Sequence, residues 1–308
     1  MVVVNAGMGG PISRHLQVQT NGLAVSVRDL TGHLGKLDLQ GPGSARVMKK
    51  ILADPENVLD SMPYFSFKGS IDGWPGWSRV VLADGTPVML SRTGYTGEFG
   101  FELFVAPEAL VRVWEMVLAG GDGVVPCGLA ARDSLRTGAM LPLSHQDIGS
   151  WPFVKNPWSF ALSYNDDRTD FTKDFLGGKA IRDAESADYT LAFVGYDPRK
   201  VSVHDPAVVL DPGGRELGTV LTCVSDLAIG RSHGRIYSLA SPDKPDGFHP
   251  HGLCCGFLRL DTDLAPGELV ELKDKRRTIK VEIVDDIRPD RTARCPIGEM
   301  IQEKEKRS

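Results

Sequence analysis

The chain has 308 residues, enough for two domains or three small ones. Its 42% apolar and 24% charged residues are ordinary for a globular protein, and a net charge of −5 argues against a general nucleic-acid binder, which carries a basic surplus. The five cysteines are odd in number, and Cys254 and Cys255 are adjacent, which fits a reducing cytoplasm better than a disulfide framework. The opening MVVVNAGMGG has no basic region and too short an apolar run for a signal peptide, and no run approaches a membrane span. The expectation is a cytoplasmic protein with no nucleic-acid or membrane partner.

In chain order, Val2–Val4 reads as a short buried strand ending in the turn Asn5-Ala6-Gly7. Residues 23–29 and 34–39 read as strands, and Gly41-Pro42-Gly43 breaks the chain. Ser44 can cap a helix through Leu52, with Ala45, Val47, Met48, Ile51 and Leu52 at helical spacing. Residues 64–71 and 77–82 alternate like strands, and Asp84-Gly85 is a hairpin signal. Strands are expected at 88–91 and 101–105, flanking a Gly-rich loop. Pro107 can start a helix to about Leu118, with Leu110, Val113, Trp114 and Val117 on one side. A second helix is expected over 128–138.

Residues 149–190 read as irregular. Short strands then recur at 191–196, 207–210, 217–222, 253–260, 268–273 and 278–284, separated by Pro/Gly/Asp turns, as in a small all-β barrel or sandwich. The first half therefore reads as an α+β plait and the end as a small β-barrel, with domains at 1–187 and 188–308. No G-x-G-x-x-G follows a strand and no P-loop occurs.

Two segments stand out chemically. Ser91–Leu103, SRTGYTGEFGFEL, spaces Gly94, Gly97 and Gly100 by threes among Arg92, Tyr95, Thr96, Glu98 and Glu102. That is either a plain Gly-rich hairpin or a loop whose backbone comes close to a ligand. Pro126–Arg136, PCGLAARDSLR, puts Arg132 and Arg136 on one helix face, either solvated or part of a site. His249-Pro-His251 near Cys254-Cys255 resembles a metal site only superficially, because adjacent strand side chains point opposite ways, so no metal is expected. His145 and Asp147 lie in a loop after the second helix, and Asp147 is a weak acid/base candidate.

RTGYTGE-x-GFEL, CGL-A-ARD-x-LR and LPL…DI resemble, in order and spacing, the tetrahydrofolate-dependent aminomethyltransferase family of glycine-cleavage T-protein-like proteins. VVVNAG, LDLQGPGSARVMKKI, MPYFSF, Asn156-Pro157 with DFLGGKAI, and the C-terminal strands resemble further parts of that family. The resemblance implies a T-protein-like folate-binding plait followed by the barrel. Its ligand is tetrahydrofolate, whose pterin presents an amino group and a ring N–H side by side, a pair suited to a carboxylate. By resemblance Glu102 takes that pair, Arg132 meets the pterin carbonyl or a carboxylate, Tyr95 packs the ring and Asn5 is a strand-borne amide. Arg92, Arg288, Arg291 and Arg294 are candidates for the carboxylates of the folate tail.

This sequence also departs from the family pattern. The family's catalytic Asp lies upstream of the VVNAG strand, at which this sequence starts. The expectation is thus a chain incomplete at its N-terminus, or one served by a companion chain carrying that segment. Phe99 stands where the motif usually has Asp, and Leu141 where an aromatic is usual. The segment at 151–175, with Trp151, Trp158, Phe160 and Tyr164, could shape a different donor pocket. The reading is a one-carbon transferase acting with a small-molecule donor or a lipoyl carrier protein. The alternatives are a non-catalytic folate-binding accessory protein and the folate-binding subunit of a methylamine-type oxidase or demethylase complex.

Overall fold

The computed structural model describes residues 1–70, 79–151, 156–158, 162–167, 169–183 and 188–302. Residue 71 of the expected strand at 64–71, residues 77–78 of the expected strand at 77–82, Phe160, and residue 187 at the expected domain boundary lie outside them. In chain order the elements are α1 (Gly9–Gln19), β1 (Gly35–Gln40), α2 (Ser44–Ile51), α3 (Pro55–Leu59), β2 (Phe67–Lys68), β3 (Met89–Ser91) and β4 (Gly100–Val105). A 3-10 turn at Pro107–Ala109 leads into α4 (Leu110–Ala119), followed by α5 (Leu129–Gly138) and α6 (Gly178–Arg182). Then come β5 (Tyr189–Gly195), β6 (Val208–Leu210), β7 (Glu216–Asp226), β8 (Ile229–Ser232), β9 (Arg235–Ser238), β10 (Leu253–Leu260), β11 (Leu269–Lys273), β12 (Thr278–Val284) and α7 (Ile297–Gln302).

The chain forms two compact units. The first comprises Met1–Gly94, Phe99–Pro126 and Ala293–Ser308; the second comprises Tyr95–Glu98 and Cys127–Thr292. The Gly-rich motif is therefore divided, with Tyr95–Glu98 in the second unit and its flanks in the first.

The first unit is built on an antiparallel sheet in the order β1-β4-β3-β2. Its register pairs Leu37 with Leu103 and Asp38 with Glu102. Strand alternation sends Leu39, Leu90, Phe101 and Leu103 into one core with Val47, Met48 and Ile51 of α2 and Val113 and Val117 of α4. Each fully buried valine or leucine of that face contributes about 1.5–3 kcal/mol. The opposite face carries the row Asp38, Glu102, Ser91 and Phe67, each opposite the next across the four strands. The mixed helices and strands and the closed barrel described below agree with the expected α+β and barrel architecture.

Several local expectations fail. Val2–Val4 and residues 23–29 pair with no strand among the described residues and are largely solvent-exposed, because a β-branched run without a ladder partner has nothing to extend. Asn5 is accordingly an exposed turn residue and not a strand-borne amide. Residues 9–19 instead form α1, which buries none of its residues. Of the expected strand at 64–71, the described part, 64–70, forms only the two residues of β2. At 77–82 the described part makes only isolated bridges, Leu82 to Leu52 and Val81 to Pro87. Ser44 does not cap α2; Gly43 holds that position. The Ser44 hydroxyl lies 2.7 Å from the Gly41 carbonyl and 3.2 Å from that of Phe99, tying the helix start to the loop before β4. α3 starts at Pro55 behind an Asp54 cap that sequence reading missed.

In the second unit β10, β5, β12, β11, β6 and β7 close into a barrel, which removes exposed sheet edges. All six strands contribute to its interior cluster, which includes Phe193, Val209, Val220, Leu258, Leu272 and Val281. Adjacent residues of β10 part ways as alternation requires: Cys254 packs in that cluster, Cys255 in another with Val194, Phe257 and Trp158. The hairpin β8–β9 turns on His233 and Gly234, both with positive φ. Among the described residues no helix is long and apolar enough to cross a membrane.

Candidate functional site

The outward face of the first unit's sheet is where charge collects. Alternation in Gly35-Lys36-Leu37-Asp38-Leu39-Gln40 turns Lys36, Asp38 and Gln40 away from the core while Leu39 enters it. Cross-strand register then sets Glu102 of β4 opposite Asp38. The Lys36 ammonium bonds Glu102 Oε1 and lies 3.1 Å from Asp38 Oδ1. Thr93 Oγ1 donates to Glu102 Oε2 and lies 2.7 Å from Ser91 Oγ. The Glu102 side chain is 16% exposed, so it is sheltered but reachable.

These contacts set the charge states. Burial works against the Glu102 carboxylate, but the hydrogen bonds from Lys36 and Thr93 outweigh it and hold Glu102 below the usual glutamate range. Burial, with the neighbouring Glu102 charge, pushes Asp38 up despite Lys36. Burial opposes the Lys36 charge too, yet Glu102 and Asp38 together raise it. Lys36, Asp38 and Thr93 were not anticipated from sequence. The period-2 pattern of β1 was the available signal for Lys36 and Asp38, but only the register reveals their partner.

In the second unit Tyr95 and Arg132 come together. The Arg132 guanidinium sits 4.8 Å from the Tyr95 ring centroid, and the Tyr95 hydroxyl donates to the Pro142 carbonyl. Arg132 is exposed. Arg136, four residues on and on the same face, is only 1% exposed, which overturns the reading of a solvated pair. It bonds Asp133, Asp147 and Thr222. Asp147, 0% exposed, accepts from Arg136, from Thr222 Oγ1 at 2.6 Å and from the Leu143 amide at 2.9 Å. Burial pushes its carboxyl up, against the pull of Arg136. Its geometry is that of a structural anchor facing protein on every side, not of an acid/base group open to a substrate.

The arginines proposed for the folate tail separate in the same way. Arg92, 1% exposed, gives its guanidinium N–H groups to the carbonyls of Gly100, Ala293 and Cys295 and stacks 3.8 Å from the Phe99 ring centroid. Phe99 is fully buried and meets Phe101 edge-on, so its departure from the motif's Asp supplies core. Arg288 is buried and pairs with Asp226 and Glu98, and Arg291 pairs with Asp286. Arg294 alone of the four is exposed, over the Tyr64 ring. Trp158 is core, against Phe257, with its indole N–H on the Met140 carbonyl; it lines no open donor pocket. Among the described residues no group of three or more His, Cys, Asp and Glu is placed to hold a metal.

A helix-backed antiparallel sheet with an ionised outward glutamate, followed by a closed six-stranded barrel, defines the class of this protein. Residues 1–151 match the family model described as GCVT N-terminal domain. An aminomethyltransferase of Alkaliphilus metalliredigens (strain QYMF) is 31% identical over 224 residues, which is 72% of this chain and 56% of that protein. Another, from Natranaerobius thermophilus, is 25% identical over 295 residues, covering 92% of this chain and 68% of that protein. The crystal structure of the glycine cleavage system aminomethyltransferase T from Bartonella henselae matches with a TM-score of 0.64 at 22% identity, over 94% of this chain and 68% of that one, a likeness of fold. The chain belongs to the aminomethyltransferase family, and it spans a little over half the length of the first of these relatives.

Proposed function

We propose that this chain is a tetrahydrofolate-dependent one-carbon transferase, or the part of one that holds the folate. The observation that carries the reading is Glu102: ionised, sheltered and on the outward sheet face, it is fitted to accept two parallel N–H donors such as a pterin's amino group and ring N–H. Family membership supports the same assignment. Bound tetrahydrofolate supplies the nitrogen that receives the one-carbon unit. The protein's part is to fix the ring and keep the acceptor carboxylate charged. The donor is an aminomethyl group on a lipoyl carrier protein, or a methyl group on a small metabolite. Tyr95 and Arg132, already stacked, and Asn5 are assigned to the ligand by resemblance, each to be tested by its own variant.

Calorimetric titration of tetrahydrofolate into wild type and Glu102→Ala tests the assignment. Loss of the acceptor for two sheltered donors is expected to cost about 1–3 kcal/mol or more. Unchanged affinity removes Glu102 from the site. Folate binding without transfer from any donor favours the accessory-protein reading, and transfer only alongside an oxidase subunit favours the oxidase-complex reading.

A further inference from the structure

The groups around Glu102 have hydrogen-bonding capacity left over, and it runs in a definite order. A carboxylate oxygen has two lone pairs, and an ammonium has three N–H donors. Glu102 Oε2 spends one lone pair on the Thr93 hydroxyl and Oε1 spends one on Lys36. The Lys36 ammonium is committed to Glu102 and to Asp38 at 3.1 Å, which leaves a third N–H. Asp38 also lies within hydrogen-bonding reach of Glu102; with its carboxylate turned to the ammonium, the valences left over from Thr93 to Lys36 read acceptor, acceptor, donor. A bare carboxylate offers only the first two.

We infer that Lys36 is a further ligand-binding and specificity-determining residue. With Glu102 it reads the edge of a 2-amino-4-oxopyrimidine, whose amino group, ring N–H and carbonyl present donor, donor, acceptor in turn. The amino group would meet Oε2, the ring N–H Oε1, and the carbonyl oxygen the spare N–H of Lys36. Asp38 is the positioning residue: lying directly opposite Glu102 on β1, it restrains the ammonium beside Oε1. The inference rests on the reading of Glu102 as the ligand's acceptor, and it narrows the ligand. A 4-amino ring turns the carbonyl acceptor into a donor and removes the ring N–H, so it confronts Lys36 donor-to-donor and Glu102 acceptor-to-acceptor. Pterins and guanines share the recognised edge.

The test is a set of equilibrium titrations with tetrahydrofolate, its 4-amino analogue and guanosine, using wild type, Lys36→Met, Lys36→Arg and Glu102→Gln. Wild type is expected to prefer tetrahydrofolate over the 4-amino analogue by about tenfold to a hundredfold, the worth of one or two mispaired sheltered groups. Lys36→Met keeps the side chain's length and should lose the share of that preference that Lys36 carries, through weaker tetrahydrofolate binding, while the mismatch at Glu102 remains. Lys36→Arg retains a donor and should keep that share. Lys36 is over a third exposed on β1, so neither change opens the core. If Lys36→Met binds tetrahydrofolate as tightly as wild type with the preference intact, or more tightly, Lys36 is a bystander or a competitor for Glu102 and the inference is overturned. If Glu102→Gln binds as well as wild type, the underlying reading fails instead, and the inference with it. Binding of guanosine but not tetrahydrofolate, lost in Lys36→Met, keeps the edge assignment and overturns the folate reading.

Discussion

Replacing Asp147 by Ala would strand Arg136 inside the second unit. Arg136 is 1% exposed and Asp147 0%, so water cannot step in for the lost carboxylate. Three hydrogen bonds disappear: those from Arg136, from Thr222 Oγ1 and from the Leu143 amide. Breaking a buried ion pair by deleting one partner typically costs about 3–5 kcal/mol. Here Asp133 still holds Arg136 at 2.6 Å, so the lower end, about 3 kcal/mol, is expected. Urea unfolding followed by tryptophan fluorescence, which includes the buried Trp158, and by circular dichroism provides the measure. The double variant Arg136→Met, Asp147→Leu should recover most of the loss, because an apolar pair of similar volume carries no desolvation penalty. A single-variant loss under about 1 kcal/mol, or a double variant no better than the single, would refute the anchoring role. A fully folded Asp147→Asn that abolishes turnover would return Asp147 to the chemistry.

Gly97 has φ +71°, and a Cβ there would lie 2.7 Å from both Ala139 Cβ and Arg291 Cδ, so Gly97→Ala should destabilise by about 1–3 kcal/mol in thermal melts. Arg92→Met keeps the ring stacking partly but leaves the carbonyls of Gly100 and Ala293 without their donor; a loss of about 2–4 kcal/mol is expected by chemical denaturation. Glu102 is held below the usual range, so its pairing stabilises the fold fully above the unfolded-state pKa and is lost as pH falls through the folded value. Acid unfolding of Glu102→Gln should therefore show a shallower acid limb than wild type.

What could be read from the sequence was whatever depends on near neighbours. The alternation of β1, the amphipathic run of α4, and the strand spacing of the barrel all follow from periodicity. So does the divergence of Cys254 and Cys255. Even there Trp114, expected on the buried side of α4, is 39% exposed. The functional face was half legible. Glu102 came from motif resemblance, but Lys36 bonds it across 66 positions, and no local pattern encodes that register. Arg132 and Arg136 illustrate the same limit. Helical spacing put them on one face, while the fate of each was decided by residues beyond the helix, Tyr95 for one and Asp147 with Thr222 for the other. The β8–β9 hairpin carried a readable signal, His233-Gly234 with positive φ at both turn positions, hidden because Asn-Gly is the commoner pair there.

The return of residues 293–302 to the first unit has a consequence for synthesis. Cys295, Ile297 and Met300 pack with that unit's core, the Met300 carbonyl accepts from Arg46 at 3.0 Å, and Ala293 and Cys295 supply carbonyls to Arg92. A nascent chain emerges N-terminus first. The sheet bearing Glu102 would leave the ribosome with its Arg92 only part-satisfied and a wedge missing from its core, while the barrel's strands had already been made. The core around that sheet is therefore closed by residues made after the barrel's strands, so truncation before residue 293 should weaken the sheet as well as shorten the chain.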